Sequence, residues 1–194
     1  IEHSIEADGT GRITVEPGIN LIELRKEITA RFRKEQLFWP PDPTETSASI
    51  GGIVASGAQG ISHMLYGETE NYIESIRLVD GSGNVRDISR GQKEEILPGE
   101  TMDALNMVLG KEGITGIITR ITLKVIPKPE AIWGIVFFFE EKEGAAGFVD
   151  MLRSELPEAE DAKIAAVEYM DRRSMDLIEA RKETMTKIKE LPDI

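Results

Sequence analysis

The chain has 194 residues, 40% hydrophobic and 30% charged, a composition that suits a soluble globular domain plus part of a second. Its 35 acidic and 23 basic residues leave a formal net charge of −12, which argues against nucleic acid or an anionic membrane as a partner. With no cysteine, it has no disulfide, zinc–thiolate or iron–sulfur site.

The first residues, Ile1 to Glu6, carry charge and no apolar core follows, so no signal peptide is read. The chain opens without Met, in what looks like mid-strand, and a fragment of a longer protein is the expectation. Residues 12–16 alternate polar and apolar as a strand does, and Pro17-Gly18 turns it. Asn20 reads as an N-cap, and Leu21, Leu24, Ile28 and Phe32 recur at helical spacing to about Arg33. Phe38-Trp39 then leads into a segment rich in proline, glycine and hydroxyl residues, running to Gly60. Proline fixes φ and removes a donor, whereas glycine lets main chain approach a neighbour closely. The segment therefore reads as a rigid loop and small-residue turn that press main chain against a flat or phosphorylated ligand. Residues 50–56 (Ile-Gly-Gly-Ile-Val-Ala-Ser) either begin a short helix whose N–H groups point at that ligand, with Ser47 and Ser49 adding hydroxyls, or make a tight turn that only permits close packing.

Residues 73–79 and 85–88 are predicted strands, and Asp80-Gly-Ser-Gly-Asn84 between them is a hairpin signal. Residues 102–109 read as a short amphipathic helix. Gly110, Gly113 and Gly116 then lead into a strand over 120–126. Their spacing is neither the Walker nor the dinucleotide pattern, and a bulged strand entry also explains it. Pro127-Lys-Pro129 ends that strand and marks a boundary. Beyond it the pattern predicts a buried strand (133–139), a helix (144–156), a strand (164–170) and a charged helix (172–186). The most apolar run, 132–139, is far too short to cross a bilayer.

The order of these motifs is more specific than any one of them. Val15-Glu-Pro-Gly18, Pro40-Pro-Asp-Pro43, Ile50-Gly-Gly52, Tyr66-Gly67, Asp80-Gly81, Gly110-Lys-Glu-Gly113, Gly116-Ile-Ile-Thr119 and Pro127-Lys-Pro129 together resemble the PCMH-type FAD-binding family. That family includes vanillyl-alcohol oxidase, D-lactate dehydrogenase, D-2-hydroxyglutarate dehydrogenase and the glycolate oxidase flavin subunit. Val167-Glu-Tyr-Met-Asp171 looks like a pattern of its substrate (cap) domain. The resemblance implies an α+β fold: a mostly antiparallel sheet flanked by helices over residues 1–129, the second subdomain of the FAD-binding type-2 fold. Residues 130–194 would begin an α+β cap domain. A first subdomain, with the loop that wraps the pyrophosphate, would precede Ile1, and a C-terminal region with a functional histidine would follow.

The cofactor implied is FAD. Pro40, Asp42, Ser49, Ile50, Gly51, Gly52 and Ser56 would lie along the flavin and ribityl-phosphate path, Gly116, Ile117 and Ile118 would contact the ring, and Glu112 would line the site. The activity implied is oxidation of a small 2-hydroxy acid of the D-lactate, glycolate or 2-hydroxyglutarate class, by hydride transfer to flavin N5. The electron acceptor and the catalytic residues are unassigned, and the chain alone is expected to be inactive and to bind FAD weakly. A cytoplasmic location is expected, peripheral to a membrane in the longer protein if not free of it.

The sequence also departs from the family pattern. Many relatives read Ala-Thr-Asn-Ala-Gly-Gly where this chain has Ala55-Ser-Gly-Ala-Gln-Gly60, so the familiar Asn is Gly57 and one Gly is Gln59, while Ser56 keeps a hydroxyl. A non-catalytic module with a decayed flavin site is therefore the alternative. A third reading, the enolpyruvyl-glucosamine reductase type with FAD and NADPH, is disfavoured by the cap motif. His63 either meets the flavin edge or is a surface histidine, and Tyr66 either packs or borders the flavin. His3 reads as solvated, and no histidine pair has metal-ligand spacing. The acidic runs at 140–143 and 158–161 read as solvated faces.

Overall fold

The computed structural model describes residues 1–155 and 162–181. The acidic run 158–161 and the predicted helix ends at 156 and 182–186 lie outside the described residues. The chain divides into two compact units, residues 1–133 and 134–194.

The first unit is α+β. Strand β1 (Glu2–Ile5) pairs antiparallel with β2 (Gly11–Val15), whose Ile13 and Val15 are buried while Arg12 faces out. Helix α1 (Leu21–Arg31) begins at a capping box: Glu23 N–H donates to Asn20 Oδ1 at 2.9 Å and Asn20 N–H donates to Glu23 Oε2 at 3.3 Å. Its buried stripe of Leu21, Leu24 and Ile28, with Phe32 just beyond, is the predicted 3.6-residue pattern. A two-residue strand, β3 (Leu37–Phe38), leads to the proline loop. There follow α2 (Ile50–Ser56), the one-turn helix α3 (His63–Tyr66) and a 3₁₀ turn at Thr69–Tyr72.

Strands β4 (Ile73–Val79) and β5 (Val85–Ser89) form the predicted hairpin, with Asp80 accepting the N–H groups of Ser82 and Asn84 at 2.9 Å each. A second hairpin, β6 (Lys93–Leu97) with β7 (Glu100–Asp103), forms a separate two-stranded sheet. The helix predicted over 102–109 is shorter than expected. Residues 102 and 103 belong to β7, and only Ala104–Met107 coils, as a 3₁₀ turn capped by Asp103. The last strand of the unit, β8 (Ile117–Pro127), lies at the centre. The main sheet runs β1-β2-β8-β4-β5, every pair antiparallel, and β3 pairs with the far end of β8.

One sheet face is the core. Ile13, Ile73, Ile76, Leu78, Ile88, Ile121, Leu123 and Val125 join the α1 stripe with Ile50, Ile53 and Val54 of α2. Each such side chain contributes about 1.5–3 kcal/mol on burial. The opposite face is polar: Thr14 and Thr122 hydroxyls meet at 2.9 Å, and Arg77 forms a bidentate pair with Asp87 at 2.7 and 2.8 Å.

Beyond Pro129 the structure departs from prediction. Residues 133–139 and 164–170 are not strands; no strand is formed among the described residues after β8. Their β-branched and aromatic side chains specify extended backbone, but a ladder needs a neighbouring strand to accept its hydrogen bonds. Trp133 is 83% exposed rather than buried. Phe137 and Phe139 instead set their rings 4.5 and 5.5 Å from Phe148 of α4 (Lys142–Glu155). Helix α5 (Arg172–Arg181) follows Asp171, whose Oδ1 accepts from Ser174 N–H at 2.8 Å and Ser174 Oγ at 2.7 Å. The Asp of the Glu-Tyr-Met-Asp motif is thus a helix cap.

Candidate functional site

The proline loop and both glycine-rich segments belong to the first unit, and the fold brings the glycine-rich segments together. Gly57 ends α2 in the left-handed region, at φ +62°. Gly110 N–H donates to the Val54 carbonyl at 3.2 Å, and Glu112 N–H to the Ala55 carbonyl at 2.7 Å. Two carbonyls of the last turn of α2, those of Val54 and Ala55, thus accept from the 110–112 loop. A Cβ on Gly57 would stand 3.2 Å from Gly110 Cα, so glycine at 57 permits this close approach. Glu112 takes the left-handed conformation at φ +54°, uncommon for a non-glycine residue and held here by its bond to Ala55.

The N-terminus of α2 behaves differently from the ligand reading. Ile50 N–H donates to the Ile19 carbonyl and Gly51 N–H to the Pro17 carbonyl, each at 2.8 Å. Gly52 N–H donates to Ser49 Oγ at 3.2 Å, an N-cap bond. These donors already have acceptors within the chain. Gly51 is glycine because of Pro17: a Cβ there would lie 2.5 Å from Pro17 Cβ. Ser56 Oγ donates back to the Gly52 carbonyl at 2.8 Å. Ser47 Oγ donates to Glu45 at 2.6 Å, and that bond with Ser47 N–H holds the Glu45 carboxyl below its ordinary value.

The proline loop is a support. Pro40 is buried, and Asp42 accepts from Ser62 Oγ at 2.8 Å and Ser62 N–H at 3.2 Å. A Cβ on Gly60 would overlap both the side chain and the main chain of Asp42, so the two segments of this loop touch at residues 42 and 60. Tyr66 packs edge-on to Phe38, with ring centroids 5.5 Å apart. Burial, with Asp42 nearby, pushes the Tyr66 hydroxyl above its ordinary value. Tyr72 donates to the Tyr66 carbonyl at 2.8 Å.

The 110–118 loop offers the surface that remains. Ile114 and Ile117 are 84% and 72% exposed, and between them the Thr115 hydroxyl is buried without a hydrogen-bond partner among the described residues. Gly116 packs on β4, where a Cβ would stand 2.5 Å from the Val79 carbonyl, and Ile118 points into the core. The exposed Ile114 and Ile117 make an apolar wall that suits the flat, apolar body of a ring. The same test fails for pyrophosphate at α2, since its first N–H groups are engaged.

Sequence reading does not single out Thr69, which is buried and holds the 58–72 loop: its hydroxyl donates to the Ala58 carbonyl at 2.5 Å. Two clefts, of about 300 and 490 Å³, open elsewhere on this unit, one beside Glu6, Arg12 and Lys124, the other beside Thr14, Ile19 and Arg120. Neither includes a residue assigned to the cofactor. Among the described residues no group of three acidic or histidine side chains is placed to hold a metal ion, and no helix is long and apolar enough to cross a membrane.

Residues 1–89 match the family described as FAD binding domain. A D-lactate dehydrogenase of Anaerostipes hadrus is 31% identical over 131 residues, 68% of this chain and 26% of that protein. Glycolate oxidase subunit GlcD of Bacillus subtilis is 29% identical over 170 residues, 86% of this chain and 33% of that protein. A D-lactate dehydrogenase of Archaeoglobus fulgidus is 28% identical, across 89% of this chain and 36% of that protein. The chain therefore spans about a quarter to a third of the length of these curated relatives. Among solved structures, an alkyldihydroxyacetonephosphate synthase is 25% identical with a TM-score of 0.49, over 66% of this chain and 21% of that one.

Proposed function

We propose, from the match of residues 1–89 to the FAD binding domain family, that the chain supplies one wall of the flavin site in an FAD-dependent oxidoreductase acting on a 2-hydroxy acid. The observation that carries this reading is the locked pair of glycine-rich segments, beside which Ile114 and Ile117 form an exposed apolar surface. Ile117 and Ile114 would flank the isoalloxazine, and the exposed main chain at Gly52 would border the ribityl chain. Pro40, Asp42, Ser49, Ile50, Gly51, Ser56, Gly116 and Ile118 would serve the cofactor indirectly, as packing and capping residues of the surrounding loops. When bound, FAD would accept hydride at N5 from the substrate α-carbon. Residues 130–194 would belong to the substrate domain. The names of the relatives support the substrate class: D-lactate and glycolate are both 2-hydroxy acids.

Because the first N–H groups of α2 bond to Pro17, Ile19 and Ser49, the FAD pyrophosphate must be held by other residues. The 194 residues alone should therefore bind FAD weakly, and a fluorescence titration showing submicromolar affinity would overturn this division of the site. The engaged donors also favour a second reading, a module that keeps the fold without a flavin. Those two readings separate on colour: a longer protein containing this chain that stays colourless with excess FAD is the second kind.

A further inference from the structure

The 110–117 loop gathers three unfavourable features at one place. Ile114 and Ile117 leave apolar surface in water, being 84% and 72% exposed. Between them the Thr115 hydroxyl is buried with no hydrogen-bond partner among the described residues, which penalises the conformation that buries it. Just ahead of them Glu112 holds φ +54°, a dihedral that disfavours a side chain. The ends of the loop are firmly held. Glu112 N–H donates to the Ala55 carbonyl at 2.7 Å, and Ile117 pairs with Val79 in the ladder of β4 and β8. The turn between those anchors has longer bonds. Ile114 N–H reaches the Lys111 carbonyl at 3.1 Å, and Gly116 N–H reaches the Gly113 carbonyl at 3.3 Å. Gly113, at φ +78°, can change conformation with no side chain in the way.

We propose that residues 113–116 form a two-state turn, and that the flavin ring selects the conformation that presents Ile114 and Ile117 as a wall. The inference rests on the flavoenzyme reading above. A flat ring laid on that wall would take both isoleucines out of water and so favour this conformation over its rival. Without the ring, the turn relaxes about Gly113: Ile114 folds against the protein and the Thr115 hydroxyl reaches water. Thr115 therefore opposes the binding-competent form. The apparent affinity of a ligand is reduced by the fraction of protein that is competent to bind it. Thr115→Val keeps the shape of the side chain and removes the hydroxyl, so it raises that fraction. If the wall conformation is about a tenth to a third of the population, FAD should bind about 3–10-fold more tightly to this variant. A hydroxyl that touched the cofactor, or that the fold needed, would give the opposite sign.

Two measurements test this. In a longer protein containing this chain, FAD titration should show the tighter binding in Thr115→Val and no gain in Thr115→Ser, which keeps the hydroxyl. Equal or weaker binding by Thr115→Val overturns the proposal. Hydrogen exchange on the 194 residues alone needs no cofactor. The Ile114 and Gly116 amides should exchange at least about tenfold faster than the Glu112 amide, and Thr115→Val should slow them. Equal protection of all three amides in the unaltered chain overturns the two-state turn. Failure of the longer protein to take up FAD overturns the flavoenzyme reading and selection by the ring with it, while the exchange result still reports whether the turn has two states.

Discussion

Gly51→Ala separates a glycine kept for a ligand from one kept for packing. The added methyl would stand 2.5 Å from Pro17 Cβ and 3.1 Å from the Pro17 carbonyl oxygen, which Gly51 N–H now reaches at 2.8 Å. Relief requires α2 to move off the 17–19 turn, stretching both that bond and the Ile50 bond to Ile19. Overpacking of this kind costs about 1–3 kcal/mol, and a weakened hydrogen bond adds about 0.5–1.5 kcal/mol. For a loss near 2 kcal/mol, the melting temperature should fall by about 4–8 °C. Gly18→Ala is the internal control, because a Cβ there meets nothing within 4 Å. It should leave stability within about 1 kcal/mol of the original. Paired thermal and urea denaturation of the two variants provides the assay. If Gly51→Ala melts like the unaltered protein yet weakens FAD binding in the longer protein, the packing argument is wrong and the glycine serves the ligand directly.

Gly116→Ala should be at least as damaging, since its Cβ would lie 2.5 Å from the Val79 carbonyl and its φ of +149° already disfavours a side chain; denaturation midpoints would show it, and an unchanged midpoint would mean that β8 enters the sheet differently. Acid should destabilise the first unit through exposed aspartates. Hydrogen bonds from Asn84 lower the Asp80 carboxyl below 3.8, and the Arg77 guanidinium does the same to Asp87. A depressed folded value means that this stability is complete above the unfolded value of 3.8 and is lost as pH falls through the lower folded value. Denaturation midpoints measured across that window should slope less in Asp80→Asn than in the unaltered protein, and equal slopes would remove Asp80 from the explanation.

Much of the first unit was legible because its signals are local. Asn20 and Glu23 announce a capping box, the α1 stripe has helical spacing, and Asp80-Gly-Ser-Gly-Asn84 turns a hairpin. The Pro98-Gly99 turn of the second hairpin was equally local, but its flanks mix Glu and Lys with Ile and Leu, so the alternation is weak. The failures at 133–139 and 164–170 have another cause: apolar β-branched runs report what a segment would do beside a partner strand. At the candidate site, the motif order pointed to FAD and to the glycine-rich segments. What the motifs could not reveal was where each N–H group goes. Gly51 looks like a ligand-facing glycine in sequence, and only the position of Pro17 makes it a packing glycine. Gln59 looks like a lost glycine in sequence, whereas its Oε1 accepts from Thr69 N–H at 3.3 Å and lies 3.2 Å from His63 Nδ1.

Strand β8 pairs with β2, β4 and β3, yet it is the last of these to be synthesised. On the ribosome, β2 and β4 must wait for residues 117–127 to emerge before either gains its central neighbour. Until then their ladder groups and apolar faces are available to the wrong partner, including another nascent chain. The arrangement also makes the fold rich in contacts between distant parts of the sequence, which slows folding. A truncation that stops before Ile117 would therefore lose the middle of the sheet rather than its edge, and should yield an aggregating chain rather than a smaller folded one.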